Sequence, residues 1–456
     1  MSLLAEQSDD SKLLQCWPWQ VIDQEEDPFM LYKWRQRLEH ALIGTSDNTT
    51  EELEESRTSW VETAVDKVVD NKMRCTLLYL EIFHVILKQY RKLDLPGAHV
   101  GYTLYSTWIG HPQTSTWLST FTSAHDKLEI TAYLVFLNDV SKTYDIAFEQ
   151  GAMVHETASA RKLLISHLQH FCTLWSYPYI AVVRRSFELV SRLLRSPIDK
   201  IKIAGVLERL LAWADRLNTH FTIDMFWECF ETDRTEFYHQ PIIQHDDITV
   251  DRECLKLAMQ VFVASLCSLA NYNQVDSSIL VALGRILERI HGWREYMSDE
   301  QLLEAVLELH GGNDEDAINL QLDVLTIDNK LQRADEASSF KQCFQELIQV
   351  VSPNRLFLWF CERTGMDYSL LVDLLLSNET EFLRFLVEYL KHIEMDPDGF
   401  IYTCEKFVDG GVEKVMDMLS RLVLVLEAGG FPYNPRHLIN RLNYILALIQ
   451  ARIENQ

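Results

Sequence analysis

The chain has no long apolar run, no paired cysteines and little positive charge, and each shortage removes a class of protein. No segment of its 456 residues holds the ~20 uninterrupted apolar residues of a membrane-spanning helix, so none is expected. The start, Met1-Ser2-Leu3-Leu4-Ala5-Glu6, lacks the basic and apolar regions of a secretory signal. The nine cysteines are scattered, odd in number and form no CxxC pair, as expected of reduced thiols in cytoplasm or nucleus rather than of a disulfide framework. Lys and Arg total 42 against 67 Asp and Glu, a formal charge of −25. That balance argues against sequence-independent nucleic-acid binding and against adhesion to an anionic membrane.

Catalytic signatures are missing too. There is no GxxxxGK[ST] phosphate loop, no GxGxxG opening a βαβ unit, no GxSxG elbow and no HExxH zinc helix. His155-Glu156 begins like the last of these, but Ser159 stands where the second imidazole is required. His167, His170 and Cys172 come nearest to a metal cluster; two of them share a helix face and Cys172 points elsewhere, so surface and core roles are expected. His239, His245, Asp246 and Asp247 lack a fixed ligand spacing. Cys361 beside Glu362 reads as a buried thiol packed near Phe357 and Phe360 rather than as a nucleophile. No enzyme activity, cofactor or metal is expected.

What is present is helix after helix. Apolar period and Gly, Pro and Asx punctuation predict helices near 51–70, 73–92, 127–141, 158–174, 179–195, 198–217, 249–271, 276–291, 299–310, 314–328, 338–351, 354–364, 368–376, 379–393, 398–408, 412–428 and 435–453. Short links favour antiparallel neighbours, and many such hairpins in series predict an all-α, armadillo/HEAT-like helical superhelix with a C-terminal capping helical hairpin. No repeat consensus recurs. Residues 94–125 and 231–249 interrupt the rhythm and read as long ordered loops, short irregular helices or insertions.

The densest signal runs from Phe357 to Phe400. Phe382, Leu383, Phe385, Leu386, Tyr389, Leu390 and Ile393 make a wide apolar stripe, with Asn378 as the expected cap and Asp396-Pro397 as the stop. Phe431-Pro432-Tyr433-Asn434-Pro435 reads as a rigid connector: Gly429-Gly430 end one helix, and Asn434 caps the next. Trp17-Pro18-Trp19 reads as part of an N-terminal strap packed on the stack, with an aromatic anchor for a partner as the alternative. One segment carries surplus positive charge: Arg184, Arg185, Arg192, Arg195, Lys200 and Lys202 face only Glu188 and Asp199. Arg184, Arg185, Arg192 and Arg195 are therefore the candidate partner-binding residues, for an acidic or phosphorylated segment, with pairing inside the helical stack as the alternative.

The segment FLWFCERTGMDYSLLVDLLLSNETEFLRFLVEYLKHIEMDPDGF resembles the most characteristic region of the Lines family, and FPYNPRHLINRL resembles its C-terminal block. A weaker similarity reaches Gly312-Asn313-Asp314-Glu315-Asp316, an acidic helix start. Together these cover about the last third of the chain. Relatives carry a long Ser- and Asp-rich insertion between the two C-terminal blocks, where this chain has only 401–411. The resemblance implies an armadillo-like body and a non-enzymatic developmental regulator associated with Wnt-type signalling and transcriptional control. The expected organisation is a strap over 1–50, a helical body over 51–300 like the family's N-terminal region, its C-terminal part over 301–400, and a C-terminal-like hairpin over 401–456. The expected function is a monomeric scaffold or adaptor for protein partners, transcription regulators among them, in cytoplasm or nucleus. The alternative is a structural subunit of a larger stable assembly.

Overall fold

Apolar residues recurring every three or four positions require helices that bury one face. The computed structural model consists almost entirely of such helices. It describes residues 51–69, 76–92, 100–124, 126–149, 154–220, 243–245, 248–270, 272, 277–294, 298–333, 341, 344–345, 351–377 and 380–455. The expected strap at 1–50, Asn378, His239, Asp246 and Asp247 lie outside them, as does most of the helix expected at 338–351. The chain divides into two compact units. One comprises Met1–Ser196 with Ile243–Val250, the other Pro197–Ile242 with Asp251–Gln456.

The described helices of the first unit are α1 (Glu51–Val69), α2 (Thr76–Lys92), α3 (Val100–Gly110), α4 (Thr114–Ala124), α5 (Lys127–Glu149), α6 (Val154–Ser166), α7 (Leu168–Thr173) and α8 (Ile180–Leu194). Helix α5 packs against both α2 and α8. The core is aromatic: the Trp108 ring meets Phe136 edge-on at 5.4 Å, and Trp117 meets Tyr133 at 4.7 Å. This is where sequence reading and structure part. The stretch 94–125, read as irregular, contains α3 and α4, because Val100, Leu104 and Trp108 fall on one helix face and are buried despite the Gly, Thr and Tyr residues between them. Within the other interruption, β1 (Ile243–His245) and β2 (Ile248–Val250) form an antiparallel hairpin, Ile243 opposite Val250.

The second unit holds α9 (Lys200–His220), α10 (Arg252–Leu269), α11 (Ser277–Arg294), α12 (Asp299–His310), α13 (Asp314–Arg333), α14 (Pro353–Arg363), α15 (Tyr368–Leu376), α16 (Phe382–Met395), α17 (Pro397–Phe407), α18 (Gly411–Ala428) and α19 (Arg436–Glu454). Its helix ends are set by local chemistry. Ser298 and Gln301 form a reciprocal capping box on α12. Ser352 accepts from the Arg355 N–H of α14, with Pro353 in the first turn. The same helix ends with Gly365 at φ 72°, where Met366 N–H donates to the Cys361 carbonyl at 2.7 Å and Gly365 N–H to that of Glu362 at 2.9 Å. That reciprocal pair satisfies carbonyls the helix leaves open. Asp396 caps α17 through Gly399 N–H at 2.9 Å. A Cβ on Gly399 would come within 2.1 Å of that carboxylate, so the close approach requires glycine.

The stripe of α16 is core as expected: Phe382, Phe385, Leu386, Tyr389, Leu390 and Ile393 are buried. Phe357 of α14 stands 4.4 Å from the Tyr389 ring, and the Tyr389 hydroxyl donates to Asn354 Oδ1 at 3.0 Å. Helix α18 stops at Gly429 and Gly430, both at positive φ. Asn434 Oδ1 then accepts from Arg436 N–H at 3.1 Å as α19 begins, and Phe431 packs on the core. Helix α19 packs on α16, α17 and α18. The acidic helix start at Asp314 is an interhelical tie, since Asp316 accepts from Lys256 at 2.8 Å and Gln260 at 3.0 Å, both on α10.

Candidate functional site

Helix α8 carries the four candidate arginines because its sequence divides cleanly into two faces. Val182, Val183, Phe187, Val190, Leu193 and Leu194 are buried, and Phe187 stacks on Trp175 at 4.5 Å. Arginines occupy what remains. Arg185 is exposed and donates to Glu188 one turn on at 2.7 Å, and Glu188 also pairs with Lys142 of α5 at 3.6 Å. Arg184 is half-buried, with contacts to neighbours. Arg192 lies 3.5 Å from Asp145 of α5, and Arg195 stands exposed at the helix end. The four residues therefore do not form one continuous strip of solvated charge. They split into a clasp at Arg185–Glu188–Lys142 and a cluster at the C-terminal end of α8.

That cluster is built on Arg161 of α6, which sequence reading did not single out. Its side chain is only 4% exposed. Its guanidinium donates to Ser196 Oγ, Ser141 Oγ and the Arg192 carbonyl, each at 2.6 Å. It also lies over the Tyr144 ring at 5.0 Å and 3.4 Å from Asp145 Oδ1. The cation thereby sits against the negative end of the α8 dipole and occupies a carbonyl in its last turn. Burial pushes the Asp145 carboxyl upward, while Arg161, Arg192 and Arg195 pull it down. The one sequence clue was position: Arg161 lies between buried Ala160 and Leu164, among core residues of α6.

A second buried charge joins α2 to α5. The Asp139 carboxylate receives Arg91 Nη2 at 2.7 Å and the His84 imidazole Nδ1, and Arg91 also reaches the Asp139 carbonyl at 3.1 Å. A carboxylate holding an imidazole is the orienting half of a general base. Among the described residues, however, no hydrogen bond brings a hydroxyl or thiol nucleophile to His84, so the arrangement acts as a brace.

The other candidate groups are separated by the fold. His167 sits at the break between α6 and α7, its ring nitrogens 3.0 Å from the carbonyls of Leu163 and Ser115. His170 meets Thr122 Oγ1 at 3.2 Å, and Cys172 is buried. Cys361 is fully buried and burial pushes its thiol well up, which suits packing rather than attack. Among the described residues no three His, Cys, Asp or Glu side chains are placed to hold a metal ion. None of their helices is long and apolar enough to cross a membrane.

Comparison with known proteins places most of the second unit in context. A family model described as Lines N-terminus matches residues 206–404, reaching well before the motifs first noticed. Protein lines of Drosophila melanogaster is 28% identical over 152 residues, 33% of this chain and 17% of that protein. Protein Lines homolog 1 of Homo sapiens is 41% identical over 56 residues, 12% of this chain and 7% of the relative. The Mus musculus homolog 1 is 37% identical over 68 residues, covering 15% and 9% respectively. The aligned stretches thus span less than a fifth of each relative.

Proposed function

Since the chain belongs to the Lines family, we propose that it is a non-catalytic protein-interaction scaffold whose helical hairpins continue as an armadillo/HEAT-like superhelix. The C-terminal pair α18 and α19 closes its end. By family resemblance its setting is developmental regulation, Wnt-type signalling and transcriptional control, in cytoplasm or nucleus. Its partners are proteins, transcription regulators among them, rather than membranes or bare nucleic acid, and the chain itself is a monomer. The observation that carries this reading is the match over residues 206–404, which spans helices from α9 to α17. Packing supports it: α17 contacts α14, α16, α18 and α19, so each helix buries its apolar face on close neighbours and leaves the opposite face for others.

The test is affinity purification of the full chain from its native cell, with mass spectrometry and a salt titration of each captured protein. A scaffold of this charge releases its partner as salt rises. Capture that resists salt and brings down a fixed set of subunits would instead favour the permanent-assembly reading, because obligate interfaces are larger and more apolar. Stoichiometric co-purification of a small-molecule cofactor would overturn the non-catalytic reading.

A further inference from the structure

We draw no further inference here: the strongest candidate, the apolar surface that Tyr402 of α17, Leu424 of α18 and Tyr444 of α19 leave exposed in the C-terminal part of the second unit, carries no proposal because nothing in the structure shows what covers it.

Discussion

Asp139, Asp145 and Arg161 are charges placed within the helix contacts of the N-terminal unit, whereas the core from Phe357 to Ile449 is apolar and aromatic, with most of its ordered polar groups at helix ends. In the first region, specificity comes from ion pairs between α2, α5, α6 and α8 that hold only once all four helices are in place. In the second it comes from caps, Pro and Gly that act within a single turn. The contrast teaches that buried charge is weak evidence for stability but strong evidence for a defined arrangement: each ion must find its partners or pay desolvation. A cap needs no distant partner at all.

The contrast breaks most visibly if α19 is removed. Deleting residues 431–456 exposes the surface covered by Leu438, Leu442, Ile445 and Ile449, and at about 1.5–3 kcal/mol for each buried side chain the loss rivals the whole stability of a domain. Calorimetry and size-exclusion chromatography should show aggregation or loss of the cooperative melt. A monomeric protein with an unchanged melt would make α19 a detachable interaction element instead.

Next in size are single changes at the two centres. Phe385→Ala and Arg161→Ala should each cost about 3–5 kcal/mol in urea titrations, the first through a cavity and the second by removing the buried partner of Asp145 together with the donor to Ser141, Ser196 and the Arg192 carbonyl. They differ in rescue. Arg161→Met combined with Asp145→Leu should recover much of the loss, because an apolar pair replaces an ion pair without desolvation, while no neighbouring change refills the Phe385 cavity. Failure of that rescue would show that Arg161 acts chiefly through its bonds to Ser141, Ser196 and the Arg192 carbonyl.

The apolar region also holds a buried titratable pair, His392 of α16 lying 3.5 Å from Asp328 of α13. Burial pushes the Asp328 carboxyl up to about 6 and pushes His392 down. The Asp328 contribution to stability is therefore fully present below the usual carboxylate range and is lost as pH rises through about 6. His392 works in the opposite sense: its contribution is present above the unfolded imidazole value and is lost as pH falls through its lowered one. Asp328→Asn should stabilise the protein at pH 7.5, by at most ~3 kcal/mol before discounting its partial exposure, and scarcely at all at pH 4. Equal gains at both pH values, measured by urea midpoints, would remove Asp328 as the cause.

Smallest is the cap. Asp396→Ala should cost about 1 kcal/mol, and Gly399→Ala should resemble it, because the new Cβ displaces the carboxylate from the same N–H. Thermal midpoints of the two variants and of the double variant check this: additive losses would show that Gly399 has a separate role.

Much of the fold was legible where signals are local. The helices read at 299–310 and 368–376 have the observed limits, and Asp396-Pro397 ends α16 and starts α17 as expected. Helix α16 begins at Phe382 rather than Asn378-proximal Glu379, and its N-cap Glu381 makes no side-chain capping bond. Helices α3 and α4 were legible only as one alternative, short irregular helices against a long loop, for a physical reason. They have no acidic or basic residues to mark a solvent face, and Ser, Thr and Trp fill positions that packing, not propensity, makes helical.

The candidate site was half legible. The surplus of Arg184, Arg185, Arg192 and Arg195 is visible in the chain itself, and so is the apolar face that turns them outward. Their division into a clasp and a cluster is not, because Lys142, Asp145 and Arg161 lie at distances along the chain that no helical period connects. Apolar period, caps and punctuation operate within a turn or two of backbone and so define α12 to α19 before any tertiary contact forms. Which charge meets which depends on how α5, α6 and α8 pack, since Coulomb pairing depends on distance through space rather than on separation in sequence.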